Sequence, residues 1–165
     1  MDLYGNNIYL NVSNKDSLTY FPNNKESVFR VKLAQPLNLT GCWKLALCEI
    51  ELSGVKITAA VKSTTGAAAS GSDKRIKREA KHQESIRVQC DLCKGFIVDG
   101  FQTRTMRTLP LKRNQYKIFP TLYYLSLETH YIDTIEFLIL TRDGKQLSFD
   151  REGARVEMTL RLKRS

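Results

Sequence analysis

The sequence lacks the features that place a chain in a membrane or on a secretory route. No run approaches the ~18 consecutive apolar residues that a membrane-spanning helix requires. The first residues, Met1-Asp2-Leu3-Tyr4-Gly5, include an acid and no apolar stretch, which argues against a secretory signal. We therefore expect a protein of the cytosol, the nucleus or the inside of a particle, with no membrane partner.

The sequence also has little that would support catalysis. Of its two histidines, His82 lies in a strongly basic stretch and His130 lies between two strand-like segments. There is no nucleophile elbow, phosphate-binding glycine loop, His-Glu-x-x-His motif or paired-aspartate metal motif. Asp133 and Glu136 flank the start of a strand-like segment, without the pattern of a matched acid–base pair. We expect a protein that is not an enzyme and needs no cofactor.

The four cysteines leave three states open. The pair Cys90-x-x-Cys93 has the spacing of a zinc or redox site, but Cys42 and Cys48 do not form a second close pair. A redox pair of this type also sits in a βαβ unit, and the sequence does not predict one. Free thiols in a reducing compartment are favoured over metal ligands and over disulfides.

What the chain does contain is a series of short β-rich segments separated by turn residues. They cover residues 8–12, 28–33, 43–52, 55–58, 85–92, 103–111, 122–127, 134–141 and 155–163. Pro36 is expected to end the second segment, since proline has no backbone donor for a sheet. A length of 165 residues fits one domain. The pattern predicts an all-β sandwich of about eight to nine antiparallel strands over residues 1–165.

The segment 43–52 is the longest apolar run, and its two faces are both apolar at first. Trp43 is predicted to anchor the core from one of these faces, and the alternative is a partly exposed aromatic at an interface. Glu49 and Glu51 follow on that same face, so we expect burial there to end near Leu47.

Residues 62–84 interrupt the strand pattern. They begin with the Gly, Ala, Ser and Thr composition of a flexible linker and continue into a basic stretch, 73–81, of good helix formers. We predict a long, flexible basic insertion loop rather than a domain boundary. The cluster Lys74-Arg75-Ile76-Lys77-Arg78 within it also fits a nuclear import signal.

Positive charge is in excess and unevenly placed. The net charge is +9, and residues 102–117 contain no acid. Such an excess favours acidic partners such as nucleic acid. The candidate contact residues are Lys74, Arg75, Lys77, Arg78, Arg104, Arg107, Lys112 and Arg113.

Aromatic residues close to these cations suggest an alternative function, a basic β-fold module that binds nucleic acid. Aromatics beside cations suit stacking on single strands. The residues concerned are Tyr116, Phe119, Tyr123, Tyr124 and Tyr131. Their strand-like spacing favours the core of the sandwich instead.

Two blocks of the sequence resemble one known family. The first block contains YFPNN (20–24), FRVKL (29–33), PLNL (36–39) and GCWKLALCEI (41–50) in that order. The second contains VQCDLC (88–93), IVDG (97–100), MRTLPL (106–111), DTIE (133–136), LSF (147–149) and VEMTLRL (156–162). Their order and spacing are similar to those of the minor capsid (penton) proteins of polintons, adintovirus-like viruses and related double-stranded DNA viruses.

This resemblance implies a single jelly-roll fold and a structural role. Five copies would close a vertex of an icosahedral shell, so the partners would be the chain itself, as a homopentamer, and the major capsid protein of the same particle. A basic surface would also contact packaged DNA without sequence specificity. The expected location is the virion capsid, after assembly in the host nucleus or cytoplasm.

Overall fold

The computed structural model describes residues 5–57, 84–98, 100–150 and 154–165. Within them the chain forms strands and turns, and no helix of these residues is long and apolar enough to span a lipid bilayer. The strands are β1 (Asn7–Ser13), β2 (Val28–Asn38), β3 (Trp43–Leu52), β4 (Ser85–Cys90), β5 (Phe96–Val98), β6 (Phe101–Thr103), β7 (Thr105–Pro110), β8 (Gln115–Ile118), β9 (Leu125–Ser126), β10 (Tyr131–Thr141) and β11 (Val156–Arg164).

Two antiparallel sheets account for nine of these strands. The first sheet has the order β1-β11-β3-β8, and the short strand β9 also pairs with β3. The second sheet has the order β2-β10-β4-β7. Strands β5 and β6 pair only with each other and form a separate hairpin. The prediction of an all-β protein built from antiparallel sheets is confirmed.

The two sheets share one hydrophobic core. Alternate residues of β11 and β10 face it, as period-two burial requires. The largest fully buried side chains are Phe29, Phe137, Leu45, Leu47, Ile50, Leu52, Ile86, Ile132, Ile135, Ile139, Leu160 and Leu162. At its centre, the rings of Phe29 and Phe137 lie 5.2 Å apart on neighbouring strands β2 and β10.

A β-bulge in β3 changes which residues reach the core. Leu47 pairs with Leu160 of β11 and Glu49 with Thr159, so Cys48 is the extra residue between two consecutive partners. Burial on the core side therefore continues through Ile50 and Leu52 after the bulge. The prediction that burial ends near Leu47 is wrong, because the bulge re-phases the strand and keeps both following glutamates out of the core.

Pro36 does not end β2, which continues to Asn38. Pairing with β10 passes from Lys32↔Thr134 directly to Leu37↔Ile132, so residues 33–36 have no partner on β10. A proline is tolerated at such an irregularity because no ladder hydrogen bond is required of its nitrogen. A turn follows β10 at Gly144, whose nitrogen donates to the carbonyl of Thr141 and whose φ is +81°.

Several observed strands differ from the predicted ones. The hairpin β5–β6 and the strand β8 were not predicted, and Val55 forms only an isolated bridge with Phe149. The predicted insertion loop at 62–84, apart from residue 84, lies outside the described residues, and so does its stretch of helix formers at 73–81.

Candidate interaction surfaces

Arg104 and Arg113, two of the predicted contact residues, are paired with acids of the same chain. The Arg104 guanidinium lies 2.6 Å from the Glu128 carboxylate, and that of Arg113 lies 3.4 Å from Asp150. Lys112 is exposed and forms no ion pair with any residue that the structure describes. Lys74, Arg75, Lys77 and Arg78, with the predicted import signal, lie outside the described residues.

Arg107 has an internal role that its sequence context does not indicate. In the pairing of β4 with β7, Arg107 lies opposite Val88 and Thr105 lies opposite Gln89, so Met106 is an extra residue in β7. Because Val88 is fully buried and residues opposite each other share a face, Arg107 lies on the core side of β7. We therefore correct its assignment as a freely available nucleic-acid contact.

The Arg107 guanidinium lies between two aromatic rings at the edge of the sandwich. Its carbon is 4.0 Å from the centre of the Tyr123 ring and 4.4 Å from that of Phe119, and it donates a hydrogen bond to the carbonyl of Thr121. Burial lowers the pKa of this guanidinium. These cation–π contacts tie β7 of the second sheet to the segment that follows β8 of the first.

The tyrosines near the basic stretch are not in the core, so that expectation is wrong for them, whereas Phe119 packs against the core. Tyr116, Tyr123 and Tyr131 are exposed, and Phe119 and Tyr124 are half-buried. They are also spread over the molecule: Tyr116 lies on β8, Tyr131 begins β10, and Tyr123 packs on Arg107. With those predicted cations that the structure describes, they form no continuous stacking platform.

Trp43 is buried as predicted. Only 6% of its surface is exposed, and its indole nitrogen donates to the carbonyl of Thr40 over 2.9 Å. The backbone of Trp43 accepts a hydrogen bond from Leu127 and pairs with Arg164 at the end of β11. The side chain therefore closes one end of the core beside the last strand.

The outer face of the first sheet has an acidic end with an internal network. Glu49 accepts hydrogen bonds from the hydroxyls of Thr159 at 2.5 Å and Tyr116 at 2.8 Å, and the Thr159 hydroxyl also lies 3.0 Å from the side-chain oxygen of Asn11. Hydrogen bonding to Thr159 and then to Tyr116 lowers the pKa of Glu49, and the bond to Glu49 raises the pKa of Tyr116. The network joins β1, β11, β3 and β8 across the sheet.

The other end of the same face is basic. Lys44 of β3 lies opposite Lys163 of β11. Arg161, two residues before Lys163 on β11, points to the same outer face. The Arg161 guanidinium donates to the Asn7 side chain and lies 5.5 Å from the Tyr9 ring, while the Lys163 ammonium lies 5.8 Å from the Tyr124 ring. Sequence reasoning missed this cluster because strand pairing, not sequence proximity, assembles it.

The outer face of the second sheet carries two cross-strand ion pairs. Arg30 pairs with Glu136 and Lys32 with Asp133, each from β2 to β10. The two acids that flank the predicted strand start are therefore bound to cations of the neighbouring strand. Their geometry is that of surface charge pairs in a sheet.

The hairpin β5–β6 presents an apolar surface to solvent. Its members, which we call the hairpin surface, are Phe96, Ile97, Val98 and Phe101, with exposed fractions of 38%, 75%, 48% and 78%. The sequence contains a signal for this hairpin, since Asp99-Gly100 between apolar residues is a typical turn pair. A groove of about 400 Å³ separates the hairpin from β7, with Met106 and Tyr123 in its lining.

A second apolar surface lies at the opposite edge of the second sheet. Leu18, Tyr20 and Pro22, which we call the loop surface, are exposed in the connection between β1 and β2. The connection runs beside β2: Lys32 donates its N–H to the Ser17 hydroxyl, and Asn24 bonds both backbone groups of Arg30 at 2.8 Å. These side chains occupy the free edge of β2 in place of another strand.

The cysteines of the chain are free thiols in different surroundings. Cys90 and Cys93 are buried, Cys48 is half-buried and Cys42 is exposed. Burial, together with a hydrogen bond to Cys93, raises the pKa of Cys90 well above its ordinary value. Among the described residues, no group of three or more His, Cys, Asp or Glu side chains is placed to hold a metal ion.

Comparison of the sequence with protein-family models and with curated proteins gives no significant match.

Proposed function

We propose that the chain is a structural capsid protein, the vertex subunit of an icosahedral shell, which assembles as a cyclic pentamer beside the major capsid protein of the same particle. The observation that carries this proposal is the order of the strands. Strands β1 to β4 alternate between the first and the second sheet. Strands β7, β8, β10 and β11 alternate in the same way, starting from the second sheet. Such alternation is typical of a jelly roll, the fold of many viral capsid subunits.

The described surface also supports a structural role. Several of its charged side chains are held by partners in the same chain, as in the Arg30–Glu136 ion pair and the Glu49–Tyr116 hydrogen bond. These contacts order exposed side chains on the outer faces of both sheets. Ordered side chains suit a subunit that packs against neighbouring subunits, because they lose little conformational entropy on binding. The proposal assigns no catalytic activity and places the protein in the virion, after assembly in the host nucleus or cytoplasm.

The wild-type protein is expected to form a pentamer of about 95 kDa, five times the chain mass of 18.9 kDa. Light scattering coupled to size exclusion and native mass spectrometry measure this mass. Co-expression with the major capsid protein is expected to place the pentamer at fivefold positions in electron micrographs. A protein that remains monomeric at every concentration and stays outside the particles contradicts the proposal.

A second candidate function, contact with nucleic acid, is favoured by the basic end of the first sheet. Lys44, Arg161 and Lys163 lie together there, with Tyr9 exposed beside them. Proteins that bind single-stranded nucleic acid combine cations for the backbone with exposed aromatic rings for the bases. In the leading proposal the same cluster would hold packaged DNA by charge alone.

Replacing Lys44 and Lys163 by glutamine is expected to reduce the salt slope of single-stranded DNA binding by about 1.4, since each phosphate contact contributes about 0.7. Fluorescence anisotropy against salt concentration measures the slope. The matched control replaces Lys25 and Lys145 by glutamine, since both are exposed and lie outside the cluster. Wild-type binding is expected to vanish near ~0.15 M salt, as for attraction by charge alone. Tight binding that persists at that salt would favour the nucleic-acid module over the capsid subunit.

A further inference from the structure

We propose that the hairpin surface of one copy packs on the loop surface of the next copy, and that this repeated contact closes the ring. The inference rests on the proposed function, because it names the interface through which the subunits would assemble. It is carried by the placement of two exposed apolar surfaces on opposite edges of one sheet.

The amount of exposed apolar surface points to a partner at the hairpin. Large side chains offer about 150–250 Å² each, so the four members of the hairpin surface expose on the order of 400 Å². Apolar patches of about 300–600 Å² on a monomer are often functional. A stable interface buries about 800 Å² on each partner, so this surface supplies about half of one side.

The hairpin is fixed at its base, although a two-stranded hairpin alone is marginally stable. Before β5, the backbone of Cys93 forms an isolated antiparallel β-bridge with Leu127, and the nitrogen of Lys94 donates to the carbonyl of Ser126 at 2.8 Å. After β6, the Thr103 hydroxyl bonds to that of Thr105 on β7 at 2.6 Å and accepts from Gln89 at 3.2 Å. Both ends are thus attached to the sandwich, and the apolar residues are presented on a supported element.

The loop surface is also preformed. Ser17 has a φ of +60°, a costly conformation for a residue with a side chain, and three contacts hold it there. Its carbonyl accepts from Tyr20 at 2.9 Å and from Phe21 at 2.8 Å, and its hydroxyl accepts from Lys32 at 2.9 Å. Tyr20 is nevertheless 67% exposed and borders a groove of about 400 Å³ that Phe21, Pro22 and Val28 also line. An ordered surface loses little conformational entropy on binding.

The positions of the two surfaces favour a second copy of the chain as the occupant. The hairpin leads directly into β7, and the loop surface covers the edge of β2, so the two surfaces flank opposite edge strands of the second sheet. A contact between unlike surfaces leaves one of each free, and such contacts continue from copy to copy until the ring closes. A contact between two hairpins would stop at a dimer.

The contact is made by side chains rather than by pairing of strand edges. At β2 the backbone groups of Arg30 are already bonded to Asn24, so a neighbour has no free ladder to extend at that position. Exposed apolar side chains such as Tyr20 and Phe101 remain for the neighbour to cover.

Two double variants and a control test this interface. The hairpin variant is Ile97→Lys with Phe101→Lys, the loop variant is Leu18→Lys with Tyr20→Lys, and the control is Ile118→Lys on the outer face of the first sheet. All five side chains are exposed, so circular dichroism and thermal melting are expected to show folded proteins. Each surface variant is expected to raise the concentration for half-assembly about tenfold or more, whereas the control assembles like the wild type.

Mixing the two variants identifies the partners in the contact. The hairpin variant keeps an intact loop surface and the loop variant keeps an intact hairpin surface, so an equal mixture is expected to give dimers of about 38 kDa and nothing larger. If only the hairpin variant loses assembly, and the loop variant still dimerises by itself, the contact is hairpin to hairpin and the inference is wrong.

If both variants remain pentameric, the ring closes through other surfaces, and the inference fails while the proposed function stands. The same holds if pentameric variants lose only their binding to particles, which would assign these surfaces to the major capsid protein. A wild-type chain that is always monomeric overturns both proposals.

Discussion

Phe137→Ala is expected to lower the free energy of unfolding by about 3–5 kcal/mol. Phe137 is fully buried on β10 and packs on Phe29 with 5.2 Å between the ring centres. Its partners on both sides, Phe29 of β2 and Cys90 of β4, are also buried, so the surrounding strands cannot readily collapse into the space left behind. Urea denaturation followed by circular dichroism measures the loss.

The matched control is Phe101→Ala on the exposed hairpin, which is expected to change the free energy of unfolding by less than about 0.5 kcal/mol. Phe101 is 78% exposed, so the same chemical change removes little buried surface. Equal effects of the two substitutions would show that Phe137 is not in the core and would contradict the packing of the two sheets described above.

Trp43→Ala is also expected to cost about 3–5 kcal/mol, because the largest side chain of the chain then leaves a cavity beside the end of β11. The substitution also leaves the carbonyl of Thr40 without the indole donor. Because Trp43 is the only tryptophan, circular dichroism rather than fluorescence must follow the unfolding of this variant.

Trp43→Phe separates the two contributions. It keeps most of the apolar volume and removes the hydrogen bond to Thr40, so we expect a loss of about 1–2 kcal/mol. A loss below about 1 kcal/mol for Trp43→Ala itself would reject the assignment of this side chain to the core.

The fold class was predictable because most strands have a period of two. In β11, Val156, Met158, Leu160 and Leu162 alternate with polar residues, and all four are buried. Such alternation leaves little choice of which face packs inward. The sequence could not reveal the sheet order, since pairing of β11 with both β1 and β3 depends on contacts distant along the chain.

The errors cluster where a strand departs from regular pairing. The bulge at Cys48 moved the core side of β3 to Ile50, and the irregularity at residues 33–36 allowed β2 to pass Pro36. A bulge is defined by the partner strand, so neither one can be read from the period of its own strand.

The interaction surfaces were harder to predict than the fold. A basic run indicates charge but not its neighbours, and the ion pairs of Arg104 and Arg113 are made with acids 24 and 37 residues away. The direction of Arg107 depends on the extra residue Met106 in β7. The hairpin surface, by contrast, lies at a turn pair that the sequence displays, and it was missed because its strands are only three residues long.

The extra residue in β3 makes that strand tolerant of a one-residue deletion. Without Cys48, Leu47 and Glu49 would become neighbours, as their partners Leu160 and Thr159 on β11 already are. In the shortened strand, the same residues would face the core and the same residues would face solvent as before. Related chains that lack one residue at this point would therefore keep the same pairing of β3 with β11. In a sequence alignment, the parts of β3 before and after Cys48 should be aligned separately.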